Sequence, residues 1–139
     1  MRERVEMPYV LIIVSLLASG WISSARADDC ANAQTQTEMN GCADAGIKST
    51  DSELNQIYRD IIARLKGSDE TKQLLIASQR DWLLFRDAEC AFATNAAKDG
   101  SLYHTLVQNC RSSMTQDRIK GLNAYLNCQE GDMSCPVPK

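Results

Sequence analysis

Cys90 and Cys110 stand ten residues either side of Gly100, and that symmetry constrains the fold more than any other feature of the chain. Two antiparallel helices joined at Gly100 bring these cysteines level, where they can be bonded. Closing such a loop stabilises the fold by roughly 3 kcal/mol through the unfolded state. Four further cysteines, at 30, 42, 128 and 135, make six in all. There is no C-x-x-C, and the single histidine, His104, has no partner for a zinc site. In an exported chain an even set of this kind reads as three disulfides. Cys30 and Cys42 cannot pair along one helix, because twelve residues at about 1.5 Å each exceed disulfide reach. They can pair if the chain before Thr35 doubles back over the first helical turns. Cys128 and Cys135 then close a short C-terminal loop outside the bundle. The expected bridges are Cys30–Cys42, Cys90–Cys110 and Cys128–Cys135.

Export is read from the amino terminus. Arg2 and Arg4 precede an apolar run from Val10 to Leu17 that continues to Ile22, and Ala25-Arg26-Ala27 follows. That is the pattern of a signal peptide spanning 1–27, and the run is short for a membrane span. Asp29 directly precedes Cys30, so no lipid-anchor motif is visible. The expectation is a periplasmic or secreted protein with no stable membrane anchor after cleavage. The remaining stretch, 28–139, suits one small domain. It carries 12 basic and 16 acidic residues, a net charge of −4. An acidic balance argues against a nucleic-acid partner and permits a basic one. No nucleotide loop, zinc signature or nucleophile elbow is present, and no cofactor is expected.

Hydrophobic periodicity is helical throughout, with no β-alternation of any length. Thr35-x-x-Glu38 is a capping box that starts a first helix at about 36–66. Its inward positions are Met39, Ala43, Ile47, Leu54, Ile57, Tyr58, Ile61, Ile62 and Leu65. Gly41, Gly46 and Ser49-Thr50-Asp51 weaken the middle, so the stretch reads as one long helix with a soft point or as two helices, the second capped near Ser49 or Asp51, and the continuous form is favoured. Gly67-Ser68-Asp69 makes a break. A second helix at 70–97 carries Leu74, Leu75, Ser78, Trp82, Phe85, Glu89 and Phe92 inward and ends with Gly100 as its C-terminal signal. A third, at 102–126, turns Tyr103, Leu106, Val107, Cys110, Met114, Arg118, Leu122 and Tyr125 inward. Residues 127–139 contain Gly131, Pro136 and Pro138 and are expected to be irregular. The predicted architecture is all-α, a small antiparallel helical bundle of three main helices.

The second helix concentrates the polar and aromatic side chains that invite a functional reading. Residues 79–90 hold Gln79, Trp82, Phe85, Arg86, Glu89 and Cys90 at helical spacing. Trp82 is predicted to be the most buried aromatic, with Arg86 and Glu89 paired three residues apart. Such a set is either a binding site or a satisfied polar cluster around a buried ring, and the second reading is favoured because an inward arginine needs partners. Asp51 and Asn55 lie four apart and are expected to reach the same interior, with Tyr58 beside them and Glu53 pointing to water. Thr115 and Arg118 read as helix surface or as partners of the first helix's acids. Tyr103 and Tyr125 read as core-edge packing, and His104 as exposed and idle. Carboxylates are plentiful enough for a glycosidase pair, but none sits in a cleft-forming loop.

As an ordered set these residues resemble a known family. Cys30, Thr37-Glu38-Met39-Asn40, Cys42, Asp51-Ser52-Glu53-Leu54-Asn55, Tyr58, Gln79, Trp82, Phe85, Arg86-Asp87, Glu89-Cys90, Cys110, Thr115, Arg118 and Leu122 carry the likeness. The family is the small secreted domain first catalogued as a domain of unknown function (DUF1311) and named for the LprI lysozyme inhibitor. The resemblance implies an exported, helical, disulfide-bonded domain and, for the namesake, inhibition of lysozyme. This chain lacks the namesake's lipid-anchor cysteine. Binding and inhibition of a basic c-type lysozyme is the expected function. The alternative is a periplasmic structural or envelope-stress interaction module without lysozyme affinity. A hydrolase stands well behind both, since a fold alone supplies no site.

Overall fold

The computed structural model describes residues 30–129 and 131–137. The expected signal peptide, 1–27, lies outside the described residues. Among the described residues three long helices carry the fold: α1 (Gln36–Arg64), α2 (Asp69–Ala93) and α3 (Tyr103–Leu126), with a 3-10 turn at Asn95–Ala97. No strand occurs among the described residues. The predicted all-α class and the three bridges are present, Cys30–Cys42, Cys90–Cys110 and Cys128–Cys135.

Local chemistry sets the helix ends. Thr35 Oγ1 accepts from the Glu38 backbone N–H, and Glu38 Oε2 accepts from the N–H groups of Thr35 and Gln34. Those backbone donors, Thr35's first, hold the Glu38 carboxyl below its ordinary value. The soft middle of α1 stays helical because Thr50 is buried and returns its hydroxyl to the carbonyls of Gly46 and Ile47. Gly67, at φ 87°, makes the turn into α2 in the left-handed region that glycine tolerates. The far end of α2 differs from the predicted 70–97. The Thr94 hydroxyl and backbone N–H both donate to the Cys90 carbonyl, closing the helix at Ala93. Gly100 has no positive φ and instead closes the next turn by donating its N–H to Ala97.

The helices run up, down and up. Contacts climb α1 and α3 together: Asn40 meets Thr105, Asp44 meets Gln108, Thr50 meets Ser112, and Arg64 reaches the Leu126 carbonyl. Against α3 the register of α2 is reversed, with Cys90 bonded to Cys110, Arg86 at Thr115 and Gln79 at Arg118. The core is built from Leu54, Ile57, Ile61 and Leu65 of α1, Ile119 and Leu122 of α3, and Val137 of the tail. From α2 it receives only the half-buried Leu75 and Trp82.

This arrangement corrects three expectations. The buried residues of α2 are Gln79, Arg86 and Cys90, while Leu74, Phe85 and Phe92, predicted inward, face out. The bond to Cys110 fixes the rotation of α2, and at about 100° per residue those three apolar side chains point roughly 140–160° away from Cys90. On α3, Thr115 and Ile119 are buried, whereas Leu106 and Tyr125 stay about two-fifths exposed, because its core stripe turns toward α1. Finally, the C-terminal loop is not an appendage. The Cys128–Cys135 bridge folds the tail back, and Val137 is buried in the core.

Candidate functional site

Arg86 is the centre of the polar interior. It is 7% exposed, and a cation so placed costs several kcal/mol unless it is paired. Its Nη1 donates to Asp51 Oδ1 on α1 at 2.7 Å and to the buried Thr115 hydroxyl on α3 at 3.0 Å. Its Nε donates to the neighbouring Asp87 at 3.2 Å. Arg111 Nε of α3 lies 3.1 Å from that same Asp87 oxygen, in ion-pair contact without the alignment of a hydrogen bond.

Glu89, the predicted partner, is not among these contacts; it is half-buried on the flank of α2 while Arg86 points between α1 and α3. Thr115 is an interior acceptor, not helix surface. Thr115, Asp87 and Arg111 were legible in principle. A hairpin register centred on Gly100 sets 86 and 87 opposite 113 and 114, within a turn of Arg111 and Thr115.

Trp82 covers this cluster. The guanidinium carbons of Arg86 and Arg118 lie 5.4 Å and 5.8 Å from its ring centroid, within cation–π range. The ring is half-buried, and no aromatic side chain among the described residues is fully buried. Trp82 therefore caps the polar interior at its rim and does not plug the core. Arg118 donates to Gln79 Oε1 and Ser78 Oγ, both on α2, and meets no acid of α1. Burial presses its pKa below the usual guanidinium value.

The remaining predicted residues are at the surface. Asn55 is exposed and Tyr58 half-buried, and both edge a groove of about 450 Å³ between α1 and α2 that Asp51, Gln79 and Leu83 also line. Glu53 points to water as expected. Phe85 is outside the cluster altogether. His104 is exposed but not idle: its Nε2 lies 2.7 Å from Asp44 Oδ1. That contact, with Gln108 behind it, holds the Asp44 carboxyl below its ordinary value.

Chemically the interior is a set of paired counter-ions, in which Arg111 Nε is buried without a hydrogen bond. The Asp51 and Asp87 carboxylates are engaged by arginines. Among the described residues no three His, Cys, Asp or Glu side chains are grouped as metal ligands. Nor is any helix among them long and apolar enough to cross a membrane.

Comparison with known proteins gives the same region a lineage. The family model described as lysozyme inhibitor LprI matches residues 27–122. An uncharacterized protein of Rhizobium meliloti (strain 1021) is 30% identical over 113 residues, covering 73% of this chain and 81% of that protein. No solved structure matches. The matched span runs from ahead of Cys30 to Leu122 in the core of α3, taking in two of the three bridges and the whole Arg86 cluster. By that span the chain belongs to the LprI lysozyme-inhibitor family.

Proposed function

We propose that the protein is exported by cleavage of residues 1–27 and that 28–139 act as a single non-catalytic domain. It binds a basic c-type lysozyme and slows that enzyme's hydrolysis of cell walls. The observation that carries this reading is membership of the lysozyme-inhibitor family over most of the chain. Two physical features support it. Three disulfides suit an oxidising compartment outside the cytoplasm. A net charge of −4 on 28–139 favours encounter with a strongly basic enzyme. The polar interior serves structure in this reading, with Asp51, Gln79, Trp82, Arg86 and Arg118 holding the helices in place, so recognition falls to the surface.

The test is a cell-wall lysis assay with the purified, disulfide-intact protein at low and moderate salt. Inhibition that weakens as salt rises is the expected result, because exposed charges are screened over roughly 8–10 Å at physiological ionic strength. Full lysozyme activity in the presence of excess folded protein at both salt levels would leave a periplasmic interaction module as the better reading.

A further inference from the structure

Helix α2 is amphipathic in the wrong sense for a helix that serves only its own bundle. Its buried side is Gln79, Arg86 and Cys90. Its outer side carries Leu74, Leu84, Phe85 and Phe92, which are 65%, 68%, 56% and 77% exposed. Single exposed apolar residues are ordinary, but Leu74, Phe85 and Phe92 fall within about 20° of one line and make a ridge roughly 27 Å long at 1.5 Å per residue, with Leu84 about 80–100° round the helix from it. A surface of this kind marks a contact site.

The charges beside the ridge say what fits it. At about 100° per residue, Glu70, Asp81 and Glu89 fall within about 60° of Phe85. The cations nearest the row are Arg80, about 40° from Leu84, and Arg118 of α3, which reaches Ser78, so acids outnumber bases three to two. Arg80 pairs with Asp81 at 2.9 Å, but both side chains are well exposed, so the pair exchanges readily for another cation. A second copy of the chain is disfavoured. A two-fold contact along α2 would set its acidic row, Glu70, Asp81 and Glu89, against the same row of the copy. A basic surface with apolar ground between its cations is complementary on both counts.

We infer that the Leu74–Phe92 ridge of α2 is the face on which a basic protein partner docks, with Phe85 and Phe92 as apolar anchors and Asp81 as the steering charge. This rests on the proposed lysozyme-binding function and locates it. The loops and α1 then serve to hold α2 in the rotation that keeps the ridge outside.

The test uses c-type lysozyme as probe, with binding measured by titration and by amide exchange of the disulfide-intact protein. Phe85→Ser with Phe92→Ser should weaken binding by about thirtyfold or more, as loss of central anchors does. Asp81→Lys should weaken it several-fold, mainly in the association rate, whereas Glu53→Lys on the outer face of α1 makes the same charge change and should alter affinity by less than about twofold. In the wild-type complex, added amide protection should centre on 81–92. If lysozyme binds but the ridge variants match wild type and protection appears elsewhere, the ridge assignment is overturned and the inhibitor reading stands. If wild type shows no binding at all, both fall.

Discussion

Arg86 Nη1 lies 2.7 Å from Asp51 Oδ1, joining α2 to α1 across helices whose backbones approach each other little. The same nitrogen reaches Thr115 on α3, so one guanidinium ties all three helices. The two ends of the Asp51 contact are unequal. Asp51 is 39% exposed at its side chain and can be hydrated alone, whereas Arg86 and Thr115 cannot.

Mutation should expose that inequality. Arg86→Ala is expected to cost about 3–5 kcal/mol, since it leaves a buried hydroxyl unpaired and a void behind it. Asp51→Ala should cost about 1–2 kcal/mol, because Asp87 and Thr115 still hold the guanidinium. Thr115→Val combined with Arg86→Met should be milder than the sum of the two single changes, as removing both partners avoids an unsatisfied group. Urea unfolding of the five variants checks this; equal losses for Asp51→Ala and Arg86→Ala would contradict it.

Trp82 is a half-buried cap between two guanidinium groups, so Trp82→Ala is expected to cost about 2–3 kcal/mol, less than removal of a fully buried aromatic. Trp82→Phe keeps a face for Arg86 and Arg118 and should recover more than half of that loss. Trp82→Leu, similar in apolar bulk but without a ring, should recover less. Thermal melts of the three variants give the ranking.

Val137 brings the tail into the core just beyond the Cys128–Cys135 bridge. Val137→Ala should cost about 1–2 kcal/mol from lost methyl burial. Replacing both Cys128 and Cys135 by serine should cost about 2–4 kcal/mol, combining the lost cross-link with partial release of Val137. Limited proteolysis of the double variant is expected to cut near residue 131 well before wild type is cut; identical digestion patterns would show the tail held without the bridge.

The N-terminal cap of α1 carries a pH signature. Glu38's carboxyl is held below its ordinary value by backbone donors, so its contribution is fully present above the ordinary glutamate range. It is lost as pH falls through the lowered folded-state value. Glu38→Ala should therefore melt earlier than wild type at pH 7, with the gap closing as pH drops through that window. Asp44, lowered by its contact with His104, has the same sign. A gap that persisted unchanged into strong acid would mean that the carboxylate charge is not what the cap uses.

Much of this was readable from one dimension. The capping box, the break at Gly67, helical periodicity and the symmetry of Cys90 and Cys110 about Gly100 depend on residues close in sequence or on a simple hairpin. Those features determined an all-α chain, its three long helices and the Cys90–Cys110 bridge. The ordered motif from Cys30 to Leu122 likewise marked the family.

What periodicity could not supply was the rotation of α2 about its own axis. Two faces of that helix compete for the interior, one lined by Leu74, Phe85 and Phe92 and the other by Gln79, Arg86 and Cys90. Transfer free energy alone favours burying the first. The second is buried because Cys90 is bonded to Cys110 and because Asp51, Thr115 and Asp87 supply the partners that make an inward arginine tolerable. Those partners come from all three helices, so the choice exists only once the bundle is assembled. The tertiary structure thereby decided which residues are core, and it left an apolar ridge on the outside of α2.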